Sequence, residues 1–391
     1  MWQHGLSEVE VRGAEHVREA MEDGCGVLIT PNHPSHADPF ALQEAADGLG
    51  TPLYFMTAWQ VFAMTHRLGR QVLRRHGCFS VNREGHDLRA FRQAVEILEH
   101  RNHPLVIFPE GEVFHLNDRT MPFRRGAALA ALSAARRSGR PVACVPCGIT
   151  FEYVTDPTPR LLEVMDLLER RMSWTSRPGT PLIRRIERFA ERMLSIKELE
   201  HFGETRHGAI QDRQAELLDT ILMPLESRYG ADGSGLTVPE RVKRVRRLII
   251  ACSEAASDCE HRQFRLREDM DALFFVMQLF SYPADYLAGS PSLERLSETL
   301  DKFEEDVLGV PTATKRGVRR AVVSFGAPIQ VGAFDSVPRA AQSLTRVLRS
   351  RVQELIDEIR TSQPRTPNKI APASADCVSP DHTEITLPLA G

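Results

Sequence analysis

Apolar residues recur along this chain with two different periods, and the change of period divides it. Val9-Glu10-Val11 alternates up to Gly13 and predicts a first strand, residues 14–23 read as a helix stopped at Gly24, and the unbroken apolar run 27–30 predicts a second strand. Helical stretches follow at Pro39 to Ala46 and at Trp59 to His76, the latter with Phe62, Leu68 and Val72 as candidate buried positions. From His86 to Arg101, Leu88, Phe91, Val95 and Leu98 fall at three- and four-residue steps, and Arg124 to Ser138 repeats the pattern with Ala127, Leu129, Ala131 and Leu132. Short apolar runs after Gly77, from Leu105 and from Val142 read as strands between these helices. The alternation predicts an α/β domain with a mainly parallel, mixed sheet flanked by helices, and functional groups in such sheets gather at strand ends.

Past Phe151-Glu152-Tyr153 the alternation stops. Leu161, Val164, Leu167 and Leu168, then Ile183, Ile186, Phe189 and Met193, then Val242, Val245, Leu248 and Ile249 recur at helical spacing. Val322 to Val331 restores a strand broken by Gly326-Ala327-Pro328, and a helix over 338–360 follows, with Leu344, Val347, Leu348, Leu355 and Ile359 facing in. The predicted organisation is one α/β domain built from 1–157 and 318–360, interrupted by an all-α insertion at 158–317. Residues 361–391 carry five prolines and no aromatic residue, and read as a disordered tail.

Composition narrows the class. With 42% hydrophobic and 26% charged residues in 391, the chain has the make-up of an ordinary globular protein, and its net charge of −3 argues against general nucleic-acid binding. Seven cysteines without framework spacing suggest free thiols in a reducing compartment, and Cys144-x-x-Cys147, lying in an apolar strand, reads as core. No window approaches eighteen apolar residues and the start lacks a signal-peptide layout, so the expected location is the cytoplasm, with peripheral contact at the inner membrane face as an option. That contact is expected through 183–193 and 242–249. There Arg184, Arg185, Arg188 and Arg192, and then Lys243, Arg244, Arg246 and Arg247, border apolar residues, as in basic amphipathic helices on anionic membranes.

The chemistry begins at Asn32-His33-Pro34-Ser35-His36-Ala37-Asp38, at the mouth of the second strand. Asp38 can curl back to accept from one ring nitrogen of His33, leaving the other to take a proton from a substrate hydroxyl. Three blocks follow in order: Gly77 to Arg83, with an arginine directly after a short strand; Leu105 to Glu112, a buried strand running into Pro109-Glu110-Gly111; and Val142 to Ile149, a strand interrupted by Pro146. An arginine suits phosphate because its guanidinium grips two oxygens in a fixed fork. His33-x-x-His36 with Asp38 also has the flavour of a metal site, but no third strong ligand is evident at suitable spacing, so no metal is expected.

The four blocks, in this order, resemble the glycerolipid acyltransferase superfamily, the lysophosphatidate acyltransferases and their relatives. The resemblance covers about 9–155 and a fragment near 322–331. It implies His33 as general base and Asp38 as the residue that orients it, Arg83, Glu110 and Gly111 as acceptor-binding, and Pro146 on a strand lining the acyl tunnel. The chain departs from the commoner Phe-Pro-Glu-Gly-Thr-Arg pattern by reading Glu112-Val113-Phe114 after Gly111. Arg124 and Arg125 either supply the lost positive charge to a phosphate or form a solvated helix start. The implied reaction moves a fatty acyl group from the thioester of acyl-coenzyme A or acyl carrier protein, as co-substrate and without a cofactor, to a glycerol-phosphate precursor. The favoured acceptor is 1-acylglycerol-3-phosphate, in phospholipid synthesis; glycerol-3-phosphate or another lysolipid is the alternative. A metal-dependent hydrolase and a non-catalytic lipid-binding protein are the readings from other classes.

Overall fold

The structure is a computed structural model that describes residues 5–83, 87–176, 179–254 and 260–362. Eight strands form one sheet: β1 (Leu6–Arg12), β2 (Gly26–Pro31), β3 (Tyr54–Ala58), β4 (Cys78–Val81), β5 (Leu105–Val106), β6 (Val142–Tyr153), β7 (Arg319–Phe325) and β8 (Ile329–Gln330). Their order is β1-β7-β6-β2-β5-β3-β4, with β8 also paired to β6. All ladders are parallel except those joining β6 to β7 and to β8. The five strands from β6 to β4 therefore run in one direction and bring the loops that follow β2, β3, β4 and β5 to one edge.

Helices cover both faces, as a two-sided apolar sheet requires. On one lie α1 (Ala14–Glu22) and α2 (Asp38–Leu49), whose Val17, Ala41, Leu42 and Ala45 join Ile29, Val145 and Val323 in one core. On the other lie α5 (Leu88–His100), α6 (Gly126–Ser138) and α13 (Ala340–Ser362), packed through Ala94, Leu98, Ala131, Leu344 and Leu348 onto Leu28, Leu105 and Cys144. Cys144 and Cys147 thus point into opposite cores, both fully buried with thiol pKa values raised by burial, Cys144 to about 12. They are packing residues. The start of α5 is set by Asp87, whose side chain accepts from the Ala90 N–H at 2.9 Å, and α2 stops at Gly50 in the left-handed region.

Between β6 and β7 come α7 (Thr158–Arg171), α8 (Leu182–Phe202), α9 (Ile210–Tyr229), α10 (Val238–Glu254), α11 (Glu260–Phe280) and α12 (Leu293–Leu308). They make two further cores, one from α7, α8 and α12 and one mainly from α9, α10 and α11. The second core takes in Phe114, Leu116 and Met121 from the loop after β5, so the insertion is seated on that loop.

Several expectations change. The stretch 59–76 is two helices, α3 (Trp59–Met64) and α4 (Arg67–Arg75), hinged where Arg70 Nε donates at 2.8 Å to the carbonyls of both Phe62 and Thr65. Leu68 and Val72, expected inside, are 70% and 53% exposed, because among the described residues nothing packs over this corner at the sheet edge beyond β3 and β4. Leu88, Leu129, Leu167 and Val347 also lie at the exposed rim of their helices. β3 has no counterpart in the pattern analysis; its strand state is set by pairing on both sides, to β5 and to β4. The proposed tail from 361 onward lies, beyond Ser362, outside the described residues.

The two basic segments expected at a membrane are also revised. Ile186, Phe189, Val242, Val245 and Ile249 are all buried in the helical cores, and Arg185 is enclosed in a pair with Glu169 and Asp166, each at 2.6 Å. The apolar face that would enter lipid is spent on folding, since each such side chain contributes about 1.5–3 kcal/mol when buried. No helix among the described residues is long and apolar enough to cross a membrane.

Candidate active site

His33 lies two residues past the end of β2, and Asp38 opens α2, so the proline-containing turn between them folds the carboxylate back onto the ring. Asp38 Oδ2 lies 2.6 Å from His33 Nδ1 and also accepts from the Ser35 N–H at 3.1 Å. Asp38 is fully buried while the His33 side chain keeps 16% exposure, so the pair is rooted in the core and opens at the ring. The imidazole lies against Phe108, ring centroids 4.1 Å apart and nearly parallel. Burial, helped by the nearby His36 and Arg83, pulls the His33 pKa down to about 3 and keeps the ring neutral. With Nδ1 turned to Asp38, Nε2 is the nitrogen left for proton transfer.

Asn32 holds this arrangement. Where the β2–β6 ladder ends, its side chain continues it, donating to the Ile149 carbonyl at 2.9 Å and accepting from the Ile149 N–H at 2.8 Å. Asn117 repeats the device two residues further along β6, bonding both backbone groups of Phe151 at 2.7 and 2.6 Å. Two asparagines thus pin the His33 loop and the loop after β5 to the same strand. Asn32 was noted in the sequence only as part of the strand mouth, and Asn117 carried no signal, since a side chain standing in for a strand leaves no periodic trace.

Glu110 lies deeper than an acceptor ligand was expected to. It is 3% exposed, and burial with the neighbouring Asp38 drives its pKa upward. Its Oε1 is buried and has no hydrogen-bond partner among the described residues. Gly111 is left-handed at φ 80°, and a Cβ there would fall 2.7 Å from Arg124 Nε, so both backbone and packing call for glycine. Arg83 donates through Nη1 to the Gly111 carbonyl.

Arg124 pairs with Glu112 at 2.9 Å, and Arg125 reaches Glu240 of the insertion at 3.4 Å. A small pocket beside them is lined by Arg83, Glu112, Arg124, Lys243 and Arg246. Lys243 and Arg246 come from α10, and burial together with Arg124, Arg247 and Arg125 lowers the Lys243 pKa. The sequence marked these two as membrane-facing; here they look toward the Gly111 turn. Pro146 is buried in mid-sheet, not at an edge: its carbonyl accepts from the Gly326 N–H at 2.9 Å where β7 gives way to β8, a break in the ladder that tolerates a residue without an N–H.

A largely parallel sheet thus brings a buried His–Asp pair to the edge where a small pocket rich in arginine and lysine also opens. Residues 8–150 match the family described as Acyltransferase. It is similar to a glycerol-3-phosphate acyltransferase of Pseudoalteromonas atlantica, 25% identical over 181 residues, and to one of Alteromonas mediterranea, 27% identical over 180. Each match takes in 44% of this chain but only 22% and 21% of those proteins, so the chain corresponds to about a fifth of the length of these relatives.

Proposed function

We propose that the protein moves an acyl group from a thioester, of coenzyme A or of acyl carrier protein, to a hydroxyl of a glycerol phosphate. The observation that carries this reading is the 2.6 Å His33–Asp38 contact with the ring held neutral. His33 Nε2 takes the hydroxyl proton as the oxygen attacks the thioester carbonyl, and Asp38 stabilises the imidazolium that forms. The tetrahedral intermediate then expels the thiolate, which recovers the proton from His33. No acyl-enzyme is needed. The intact pair speaks against a non-catalytic lipid-binding role, and a hydrolase would need water in place of the acceptor. Glycerol-3-phosphate, named in the relatives, is the acceptor we place first, ahead of 1-acylglycerol-3-phosphate; assay of the pure protein with both acceptors and labelled acyl-coenzyme A tests the choice.

The acceptor phosphate is assigned to the basic pocket. Arg83 already supports the Gly111 turn, so Lys243, offered from the insertion, is the cleaner probe. Lys243→Met should raise the acceptor Michaelis constant by about tenfold or more, the worth of one charge-assisted contact, and leave that of the thioester unchanged. Equal weakening toward both substrates would mean that Lys243 only supports the fold.

Membrane contact, in this reading, moves to α3 and α4. Val61 and Met64 of α3 and Leu68 and Val72 of α4 are all exposed, Met64 at 72%, as are Arg67, Arg74 and Arg75. No acidic residue occurs between Asp47 and Glu84. Exposed apolar side chains among arginines complement an anionic bilayer and would open the site at the lipid surface. Sedimentation with phosphatidylglycerol vesicles should be lost in a Met64→Asp, Leu68→Asp double variant and weakened by salt. Vesicle binding that survives the double variant would place the contact elsewhere.

A further inference from the structure

We propose that His36, His115 and Glu305 form a binding site for a divalent transition metal of the zinc class, which fastens the helical insertion to the loop carrying His33. The three residues come from three remote parts of the chain: the base loop, the loop after β5, and the end of α12. Their ligand atoms all lie within 4.8 Å of one another. His36 Nε2 is 3.3 Å from Glu305 Oε1, and His115 Nε2 is 3.0 Å from Glu305 Oε2. Two ligands of one tetrahedral zinc ion, each at about 2.0–2.1 Å from it, stand roughly 3.3 Å apart. Both separations to the carboxylate, each to a different oxygen, are of that size, and the two ring nitrogens stand within 4.8 Å of each other. The two rings meet edge to face with centroids 5.5 Å apart, so their nitrogens converge on the carboxylate from different directions.

The donor set of two imidazoles and one carboxylate is one that zinc takes with a fourth position left to water. The supports are those of a built site. His115 is buried, and its neighbours Phe114 and Leu116 are anchored in the helical core while Asn117 is locked to β6. Glu305 Oε1 also accepts from the Ala313 N–H at 3.0 Å, which orients the carboxylate as a second contact typically does for a ligand. Lys302, whose charge opposes a cation here, is turned to Asp306 at 3.5 Å and to the Tyr282 ring. The metal alternative visible in the sequence, His33 with His36 and Asp38, does not form, because His33 is committed to Asp38 and His36 to Glu305. The one rival account is that two ring N–H groups simply donate to one carboxylate.

Titration of the chelator-treated full chain with Zn²⁺ separates the two. The proposal expects one ion bound per chain by calorimetry, a rise in melting temperature on its addition, and d–d absorption typical of four-coordinate cobalt when Co²⁺ replaces zinc. His36→Ala, whose side chain is 41% exposed and whose loss spares the core, and Glu305→Gln should each weaken binding by about tenfold or more, whereas His33→Ala should not. Absence of a stoichiometric ion, or binding that survives His36→Ala and Glu305→Gln, overturns it and leaves the hydrogen-bonded strut. Loss of the ion in His33→Ala with retention in Glu305→Gln overturns it equally. The readout is bound metal and not turnover, so the outcome does not depend on the acyltransferase reading.

Discussion

Alanine at His33 should lower acyl transfer by on the order of 10²-fold or more while the protein stays folded. The ring sits at the mouth of the site, against Phe108, and Asp38 keeps its contact with the Ser35 N–H when the ring is gone. A circular dichroism spectrum and melting curve close to wild type, with the rate collapsed, is the expected combination. Near-normal transfer by a folded His33→Ala protein would sink the mechanism. Asp38→Asn should also slow the reaction, because an amide neither fixes the imidazole in the same way nor stabilises its charged form. The depressed His33 pKa has a second consequence. A ring held neutral by burial takes up a proton only well below the ordinary value of about 6.5, so the acidic limb of the rate profile should lie below that pH. A limb at or above 6.5 would contradict a buried neutral base.

The second large effect is expected one residue earlier. Asn32→Ala removes both hydrogen bonds to the Ile149 backbone and leaves a buried N–H and a buried carbonyl without partners. Each orphaned group costs about 1–3 kcal/mol, so a loss of roughly 2–6 kcal/mol is expected on urea unfolding. Transfer should fall as well, since the His33 loop loses its tie to β6. An Asn32→Ala protein as stable as wild type would show that the Ile149 contacts contribute nothing, and the role given to Asn32 would have to be abandoned. The same substitution at Asn117 should act more on the seating of the insertion, because Phe114 and Leu116 beside it belong to the helical core.

Much of the sheet was legible because its strands are short apolar runs closed by Gly, Pro or Asn, and because a strand buried on both faces has no other way to read. β2, β6 and the β7–β8 pair fall where the pattern puts them. The same reasoning failed on 59–76. Leu68 and Val72 keep helical spacing whether the face they make meets a core or a solvent edge, and periodicity does not say which.

The charged helices misled for the converse reason. Arginines beside apolar residues at 183–193 and 242–249 suit a lipid surface and a helical bundle equally, and only the packing of Phe189 and Val245 into closed cores decides for the bundle.

What the sequence determined by itself was local: the strand–turn–helix that joins His33 to Asp38, five residues apart, and the alternation that makes an α/β sheet with a helical interruption. What only the tertiary structure decided was every relation across long separations. It buried Glu110 in the core, brought Lys243 of the insertion beside Arg124, set Asn117 on Phe151, and gathered His36, His115 and Glu305. The physical reason is that hydrophobic period and turn chemistry act over a few residues. The partners of a buried polar group, by contrast, are chosen by whichever distant segments the fold brings within about 3 Å.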